Sequence, residues 1–188
     1  MGWEQIGGSE AQRERGGLVS SGKGTTTTTI NVRQRQYAIA SADSDTIRLV
    51  TRNILACTAW FGIDRHNGIA FLCHFDTPWS PAVVPQIVRE LMDIAPNNAQ
   101  FESHIVNGTF IFSPWSFFTR RRLKSELRKM SEFKCTLTEH RFLLHRLRSL
   151  VCVSLTSGSW RRVDYCREDK YKEAKAIRKG MSKALGSL

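Results

Sequence analysis

A cysteine and a histidine in one predicted hairpin are the residues of this sequence best suited to covalent chemistry. The stretch LACTAWFGIDRHNGIAFLCHFDTP, residues 55–78, reads as two apolar strands around a polar turn, with Cys57 on the first strand and His74 on the second. A free thiol has a pKa of about 8.5 and reacts as the thiolate, so it needs help at neutral pH. A neighbouring imidazolium gives that help and can then protonate a leaving amine and activate water. The pair therefore indicates nucleophilic acyl chemistry that requires no metal.

The register of this hairpin decides whether the two side chains meet. If the hairpin closes with Asp64 facing Asn67, Cys57 lies directly opposite His74, and opposed residues have Cβ atoms about 4.5 to 5.5 Å apart. If a type I′ turn is centred on the Asn-Gly pair of this hairpin, Cys57 lies opposite Pro78 instead. The sequence leaves both registers open. Because cysteine is among the most buried residue types, an inert core position for the pair is the alternative interpretation.

The other cysteines and histidines near this hairpin carry weaker signals. Cys73 points to the opposite face of its strand from His74 and is predicted to pack in the core, whereas His66 in the turn is predicted to be exposed. The chain has an odd number of cysteines and no CxxC pair, so neither a disulfide framework nor a zinc site is indicated, and a reducing compartment is expected. The five cysteines are Cys57, Cys73, Cys135, Cys152 and Cys166.

Length and charge bound the class of protein. A chain of 188 residues with 41% hydrophobic content is sufficient for one domain with one core. Lys and Arg total 28 against 17 Asp and Glu, a net charge of +11, which favours an acidic partner such as an acidic protein, an anionic membrane surface or nucleic acid. No run of about 18 apolar residues occurs and no secretory signal begins the chain, so neither a membrane span nor signal-directed secretion is expected. Cytoplasmic localisation is the resulting prediction.

The strands and helices that must position Cys57 and His74 are predicted from the spacing of apolar residues and from the prolines and glycines that end each element. Residues 1–24 are rich in Gly, Ser and charge and are predicted to be disordered, and the threonine run TTTTTINV after them is predicted to begin an edge strand. QYAIAS and TIRLVT read as strands before the hairpin. A helix is predicted over residues 84–95, stopped by Pro96. FESHIV and TFIF, around an Asn-Gly pair, read as a second hairpin.

The remaining chain alternates between basic helices and strands. FFTRRRLKSELRKMSEF is predicted to be a basic amphipathic helix that starts near Thr119 as its cap. KCTLTEH, LVCVSLTS and WRRVDYC read as strands, with a possible short helix, RFLLHRLR, between the first two. Residues 168–188 are predicted to form a basic C-terminal helix. The pattern predicts an α/β (α+β) fold, a layered sandwich with a mixed β-sheet and flanking helices, over residues 25–167.

The hairpin resembles the signature of the chemoreceptor glutamine deamidases (CheD), in which a leucine-rich strand carries the nucleophilic cysteine and a later HF-x-x-P segment carries the histidine. The matching pieces are NILACTAWFGID and NGIAFLCHFDTP. Cys57 matches the nucleophile, His74 the base, and Thr51 the threonine of that family's triad. The Cys-to-His interval of 17 and the Thr-to-Cys interval of 6 are similar to the family's. Toxin deamidases share this triad and fold, among them the catalytic domain of cytotoxic necrotizing factor.

The resemblance implies a glutamine deamidase that acts on a protein substrate presenting a glutamine, without a cofactor or a metal. It covers roughly residues 46–95 and departs elsewhere. The family's usual L-G-S-C is L-A-C here, FESHIVNG stands in place of a Gly-rich GGA segment, and the late D-x-GG-x-x-GR stretch is missing. These departures count against a chemoreceptor as the substrate. They count less against the toxin or effector interpretation, in which the chain is delivered into a host cell.

The mechanism that the resemblance implies runs through a thioester. Cys57 attacks the glutamine carboxamide, and His74 protonates the departing ammonia and then activates water. Thr51 holds the second ring nitrogen of the histidine. Six residues of straight strand span about 20 Å, so Thr51 can meet His74 only if the chain bends near Arg52-Asn53.

Two other interpretations stay open from the sequence. One is a non-enzymatic basic adaptor that binds nucleic acid or an acidic protein, with Cys57 and His74 in its core. The other keeps the Cys-His chemistry but changes the bond, as in a thiol protease or a transglutaminase-like acyl transfer. Three tryptophans, Trp60, Trp79 and Trp115, are candidates either for a protein-docking cleft or for the core, and the RRRLKSELRK helix is a candidate to receive an acidic substrate or to be a solvated face.

Overall fold

The structure, a computed structural model, describes residues 3–5, 28–42, 46–107, 114–140 and 148–165. Within these ranges strands alternate with two α-helices and one short 3-10 helix, and the predicted α/β class is confirmed. The elements are β1 (Glu4–Gln5), β2 (Thr28–Val32), β3 (Gln36–Ser41), β4 (Thr46–Ile54), β5 (Thr58–Asp64), β6 (Ile69–Phe75), a 3-10 helix (Ser80–Val83), α1 (Val84–Ile94), β7 (Phe101–Asn107), α2 (Pro114–Lys129), β8 (Cys135–His140), β9 (Arg148–Ser154) and β10 (Ser159–Tyr165).

The strands divide between two sheets, where the sequence suggested one mixed sheet. The six-stranded sheet has the order β1-β3-β6-β5-β7-β8, and the four-stranded sheet has the order β10-β9-β4-β2. In the larger sheet the central pairs are antiparallel, whereas β1 with β3 and β7 with β8 are parallel. In the smaller sheet β2 runs parallel to β4 and forms the edge, as predicted from the threonine run. Each sheet is therefore mixed.

Successive side chains of the β5–β6 hairpin point to opposite faces of the six-stranded sheet, and this explains how three layers form. All seven residues of β5 and all seven of β6 are buried, because both faces of the six-stranded sheet are covered. Trp60 and Phe71 point to the side on which α1 and α2 pack. Phe61 and Leu72 point to the other side, where residues such as Leu49 of the four-stranded sheet complete a second core. The order of layers is helices, six-stranded sheet, four-stranded sheet.

The first helix matches its prediction and the second does not begin where expected. α1 buries Val84, Ile87, Val88 and Leu91 at helical spacing and ends before Pro96, since the residue preceding a proline is biased to extended backbone. α2 begins at Pro114, a residue type favoured in the first helical turn. Thr119 lies inside this helix, where its hydroxyl donates to the Trp115 carbonyl, so the prediction that it caps the helix is wrong.

Other predicted elements are partly covered by the described residues. The strands QYAIAS and KCTLTEH are confirmed, and β7 pairs with β5 on one side and β8 on the other. The predicted disorder of residues 1–24 is wrong for residues 3–5. Glu4 and Gln5 pair with β3, and Trp3 packs edge-on against Phe75 at 5.5 Å between ring centroids. The TFIF strand, most of the RFLLHRLR helix and the C-terminal helix of residues 168–188 lie outside the described residues.

Neither helix in the described part of the chain has the length and apolar character needed to cross a membrane.

Candidate active site

A short segment carries the chain from the smaller sheet to the larger one. Asn53 adopts a left-handed backbone with φ of 62°, and the pairing of β4 with β9 shifts register between Thr51 and Ile54. β5 begins at Thr58 in the other sheet. The bend that Thr51 requires is therefore present at the expected place. It puts Thr51 on a strand of one sheet and Cys57, six residues later, directly before the first strand residue of the other.

The hairpin pairs in neither of the two predicted registers. Ala59 lies opposite His74, and the pairing of the two strands begins at Thr58, so Cys57 lies just before the paired residues and is not the direct partner of His74. The cause is Asp64, which pairs with Ile69 and closes a four-residue loop through its side chain. Its two carboxylate oxygens accept hydrogen bonds from two backbone N–H groups of the loop and from the Asn67 amide.

Thr51 and His74 meet across the two sheets. The Thr51 hydroxyl oxygen lies 2.7 Å from Nδ1 of His74, and both side chains are buried. Nε2 of the same ring is also buried and has no hydrogen-bond partner among the described residues. Because Thr51 occupies Nδ1, Nε2 is the ring nitrogen left for proton transfer. In that role Nδ1 carries the hydrogen and the hydroxyl oxygen accepts it.

The Cys57 thiol contacts a residue that the sequence did not single out. Its sulfur accepts a hydrogen bond from the Gln34 side-chain amide, with Nε2 and Sγ 3.6 Å apart. Gln34 is exposed in the turn between β2 and β3, and Cys57 itself is 7% exposed. A glutamine in a polar turn has no periodicity or spacing that could mark it, so only the three-dimensional contact identifies it.

An ion pair fixes this turn against the end of β6. The backbone N–H of Arg35 donates to the His74 carbonyl oxygen at 3.0 Å, and the Arg35 Nε donates to a carboxylate oxygen of Asp76 at 2.8 Å. The second carboxylate oxygen of Asp76 accepts from the Ser80 hydroxyl at 2.9 Å. The turn that carries Gln34 is thereby held beside both members of the Cys-His pair.

Burial shifts both titrating groups toward their neutral forms. It lowers the pKa of His74 to about 4, against an opposing effect from the Asp76 carboxylate. Burial raises the pKa of the Cys57 thiol to about 11, with the Gln34 hydrogen bond acting in the opposite direction. At pH 7 the two groups are therefore a neutral thiol and a neutral imidazole. The thiolate and imidazolium expected from the sequence are not the resting forms, and the thiol must lose its proton during attack.

The other residues singled out from the sequence, three tryptophans, one cysteine and one histidine, are either buried in the core or exposed to solvent. Trp60 is fully buried and donates from Nε1 to the Ser103 hydroxyl at 2.7 Å, so it belongs to the core and not to a docking cleft. Trp79 and Trp115 are exposed and pack against each other with ring centroids 5.6 Å apart. Cys73 is buried on the helix side of its strand and His66 is exposed, as predicted.

The described residues contain no group of three or more His, Cys, Asp and Glu side chains that could hold a metal ion. Four cysteines lie within them, and each is a free thiol: Cys57, Cys73, Cys135 and Cys152. Cys166 lies outside the described residues.

The chain matches no protein-family model, and it matches no curated protein sequence at a significant level. Inference about its function therefore depends on the resemblance of the triad residues and on the geometry around them.

Proposed function

We propose that this protein is a glutamine deamidase that converts a glutamine side chain of a protein substrate to glutamate. Cys57 is the nucleophile, His74 the general base and acid, and Thr51 the residue that orients the imidazole. The main support is the 2.7 Å contact between the Thr51 hydroxyl and Nδ1 of His74. The resemblance to the deamidases selected Thr51 and His74, which lie on strands of different sheets, and their polar atoms are in contact while Nε2 of His74 has no partner among the described residues.

The proposed reaction begins from the neutral pair. As Sγ of Cys57 leaves the Gln34 amide and bonds to the carboxamide carbon, Nε2 of His74 accepts the thiol proton and the carbonyl oxygen becomes an oxyanion. The imidazolium then donates this proton to the amide nitrogen. The carbon–nitrogen bond breaks, ammonia leaves, and a thioester on Cys57 remains.

Hydrolysis of the thioester completes the cycle with the same groups. Nε2 of His74 takes a proton from water, and the resulting hydroxide attacks the thioester carbon. The carbon–sulfur bond breaks, and the imidazolium returns the proton to Cys57. One water is consumed and one ammonia released for each glutamine converted. Thr51 accepts the Nδ1–H hydrogen bond throughout, which keeps Nε2 directed to the reacting atoms.

The basic adaptor is the second candidate, and two observations favour it. The chain carries a net charge of +11, and burial leaves both Cys57 and His74 neutral at pH 7, as expected for core residues. In that function the Thr51–His74 bond only ties the two sheets together. The two candidates differ in whether any glutamine is chemically changed.

Isotope incorporation tests the proposed reaction without knowledge of the substrate. A cell lysate is incubated with the purified protein in water enriched in heavy oxygen, and peptides are then examined by mass spectrometry. We expect glutamate with one heavy carboxylate oxygen at former glutamine positions, and we expect none with the Cys57→Ala variant. Cleaved peptides would indicate a thiol protease, and amine attached to glutamine would indicate acyl transfer to amines. A folded protein that leaves every glutamine unchanged would contradict the enzyme assignment.

A further inference from the structure

Three large aromatic side chains, Trp79, Trp115 and Phe118, form an exposed aromatic patch where α2 begins. Trp79, directly before the 3-10 helix, is 64% exposed, and Trp115 and Phe118 are each 50% exposed. The rings of Trp79 and Trp115 are in contact, with centroids 5.6 Å apart. Phe118 follows Trp115 by three residues, which puts both side chains on one face of the helix. Exposed apolar patches with a polar rim mark sites that bind a protein or a membrane.

The two tryptophans of this patch differ from the buried Trp60 in the state of the indole N–H. Nε1 of Trp60 donates to the Ser103 hydroxyl, whereas Nε1 of Trp79 and Nε1 of Trp115 donate no hydrogen bond within the described part of the chain. Each exposed indole therefore combines an apolar ring with an available N–H donor. Such amphipathic rings are typical of the boundary between lipid and water, where one end is apolar and the other is wet.

The exposed face of α2 continues from these aromatic residues into a row of cations. Its exposed residues carry no negative charge, and they are Pro114, Trp115, Phe118, Arg121, Arg122, Ser125, Arg128 and Lys129.

The only carboxylate of α2 does not neutralise this face. Glu126 is buried and pairs with both Arg122 and Lys129, so one negative charge offsets two positive ones. Arg121 and Arg128 have no ion-pair partner among the described residues, since the other pairs of this helix use different cations. Arg121 lies only about 4.5 Å further along the helix axis than Phe118. The face is therefore apolar where the helix begins and positive directly beyond.

We propose that the aromatic patch and the adjoining arginines of α2 bind the surface of a membrane that contains anionic lipids. The three aromatic rings enter the boundary between headgroups and acyl chains, and Arg121 and Arg128 bind the acidic headgroups. α2 packs on the helix side of the six-stranded sheet, whereas Thr51 and His74 meet on its other side. Membrane binding is therefore separate from the proposed deamidase activity and does not depend on it.

Two features favour a bilayer over other acidic partners. Rings that protrude from a helix can enter the soft surface of a bilayer directly, whereas a folded protein would need a pocket shaped to receive them. Single-stranded nucleic acid stacks its bases on open aromatic faces. The planes of Trp79 and Trp115 are inclined at 47° and in contact, so each ring covers part of the other.

Flotation with vesicles measures this binding on the full chain. One set of vesicles contains phosphatidylcholine alone, and the other contains phosphatidylcholine and phosphatidylserine in equal amounts. We expect binding to the mixed vesicles to be tighter by about twentyfold, because each of the two unpaired arginines contributes about fivefold near an anionic surface. This preference should shrink as salt is raised, because exposed charges are screened.

Two double variants assign the binding to this surface. Trp79→Ala/Trp115→Ala removes two exposed rings and should weaken binding to the mixed vesicles by about tenfold or more. Arg121→Glu/Arg128→Glu keeps the rings and should abolish the preference for the mixed vesicles. Circular dichroism of each variant shows that the fold is retained.

Charge reversal on the opposite side of the molecule is the matched control. Arg33 and Arg52 are also exposed and have no ion-pair partner among the described residues. They directly follow Val32 and Thr51, which face the core between the sheets, so they project from the outer face of the four-stranded sheet. Arg33→Glu/Arg52→Glu changes the net charge as much as the α2 variant does, but should alter vesicle binding by no more than about twofold.

Three outcomes would overturn the membrane assignment. The first is a folded wild-type protein that does not bind the mixed vesicles. The second is an equal loss of binding in the α2 variant and in the control, which would mean that only the net charge attracts the protein. The third is a single-stranded RNA or an acidic peptide that binds through the same tryptophans and arginines while the vesicles stay unbound.

Discussion

Two buried histidines occupy similar positions in the six-stranded sheet but have different neighbours. His74 on β6 lies opposite Ala59 of β5, and His104 on β7 lies opposite Phe61, two residues further along β5. Burial lowers the pKa of both, and Nε2 of both has no hydrogen-bond partner among the described residues. Burial and an unpaired ring nitrogen are therefore common to both histidines and do not distinguish a catalytic one from a structural one.

Their surroundings separate them. Nδ1 of His104 lies 3.2 Å from Nε2 of a second imidazole, His140, and its ring packs against Phe61 and Trp160 at 5.1 and 4.8 Å between centroids. Glu102 is near its Nε2, at 3.5 Å. His74 instead has the Thr51 hydroxyl on Nδ1, and Cys57 lies two residues before Ala59, its partner across the hairpin. A buried histidine is thus a candidate base only where a nucleophile and an orienting group accompany it, so we expect His104 to be structural.

Loss of the nucleophile should have the largest effect. Cys57→Ser keeps the shape of the side chain but replaces the thiol by a hydroxyl, which is far harder to deprotonate. We expect glutamine conversion, measured by heavy-oxygen incorporation, to fall by about a thousandfold or more. Cys152→Ala, which removes another buried thiol from β9, is the control and should retain activity. Unchanged turnover in Cys57→Ser would remove Cys57 from the chemistry.

Protonation of His74 should make the fold sensitive to acid. Its pKa is near 6.5 in the unfolded chain and about 4 in the folded one, so the unfolded state binds more protons between these values. The free energy of unfolding should therefore be fully maintained above pH 6.5 and fall as pH drops toward 4, by on the order of 3 kcal/mol from this residue.

Urea unfolding at several pH values measures this slope, and single variants divide it between the two histidines. His104 contributes in the same direction because its pKa is also lowered. His74→Gln should remove the larger part of the slope and His104→Gln a smaller part. A slope that survives unchanged in His74→Gln would mean that this ring is not held neutral by burial.

Removal of the Thr51 hydroxyl should affect turnover more than substrate affinity. Thr51→Val preserves size but deprives Nδ1 of its partner, so the ring loses its fixed orientation. We expect kcat to fall between about tenfold and a hundredfold with little change in KM, and Thr51→Ser to recover most of the loss. If Val and Ser variants have equal activity, the hydroxyl has no part in catalysis and its bond to His74 only joins the sheets.

The smallest effect is expected from the second histidine. His104→Phe replaces the imidazole by another flat ring among Phe61 and Trp160, and no proposed step uses His104. Glutamine conversion should stay within about twofold of the wild-type rate. A large loss of kcat in a folded His104→Phe protein would remove the distinction between the two histidines and require a second base.

Patterns of burial explain which parts of this structure could be predicted from the sequence. β3, β5 and β6 were found because their apolar runs suit strands packed on at least one face, and α1 because its buried positions recur at helical spacing. The register of the hairpin was missed because it depends on one side chain, Asp64, which accepts several hydrogen bonds in the loop. Periodicity does not report such a contact.

In the candidate site, too, the contacts that depend on single side chains or on local backbone geometry could not be predicted from the sequence. Cys57 and His74 were selected by their chemistry and by their place in one hairpin, whereas Thr51 came only from the family resemblance. The left-handed backbone at Asn53, which lets Thr51 meet His74, has no signal strong enough to separate it from a straight strand. Gln34 was missed because it enters through a turn between two sheets, and the sequence did not show that there were two.

The crossing segment between β4 and β5 also has a consequence for the stage of folding at which the proposed activity would appear. Thr51 lies on β4 of the smaller sheet, whereas His74 lies on β6 of the larger sheet and Cys57 directly precedes β5 of that sheet. A partly folded chain with complete strands but undocked sheets would have much of the native circular dichroism signal but would lack the Thr51–His74 contact of the proposed triad. On refolding from urea, the proposed deamidase activity should therefore return after secondary structure, with the rate at which the sheets dock.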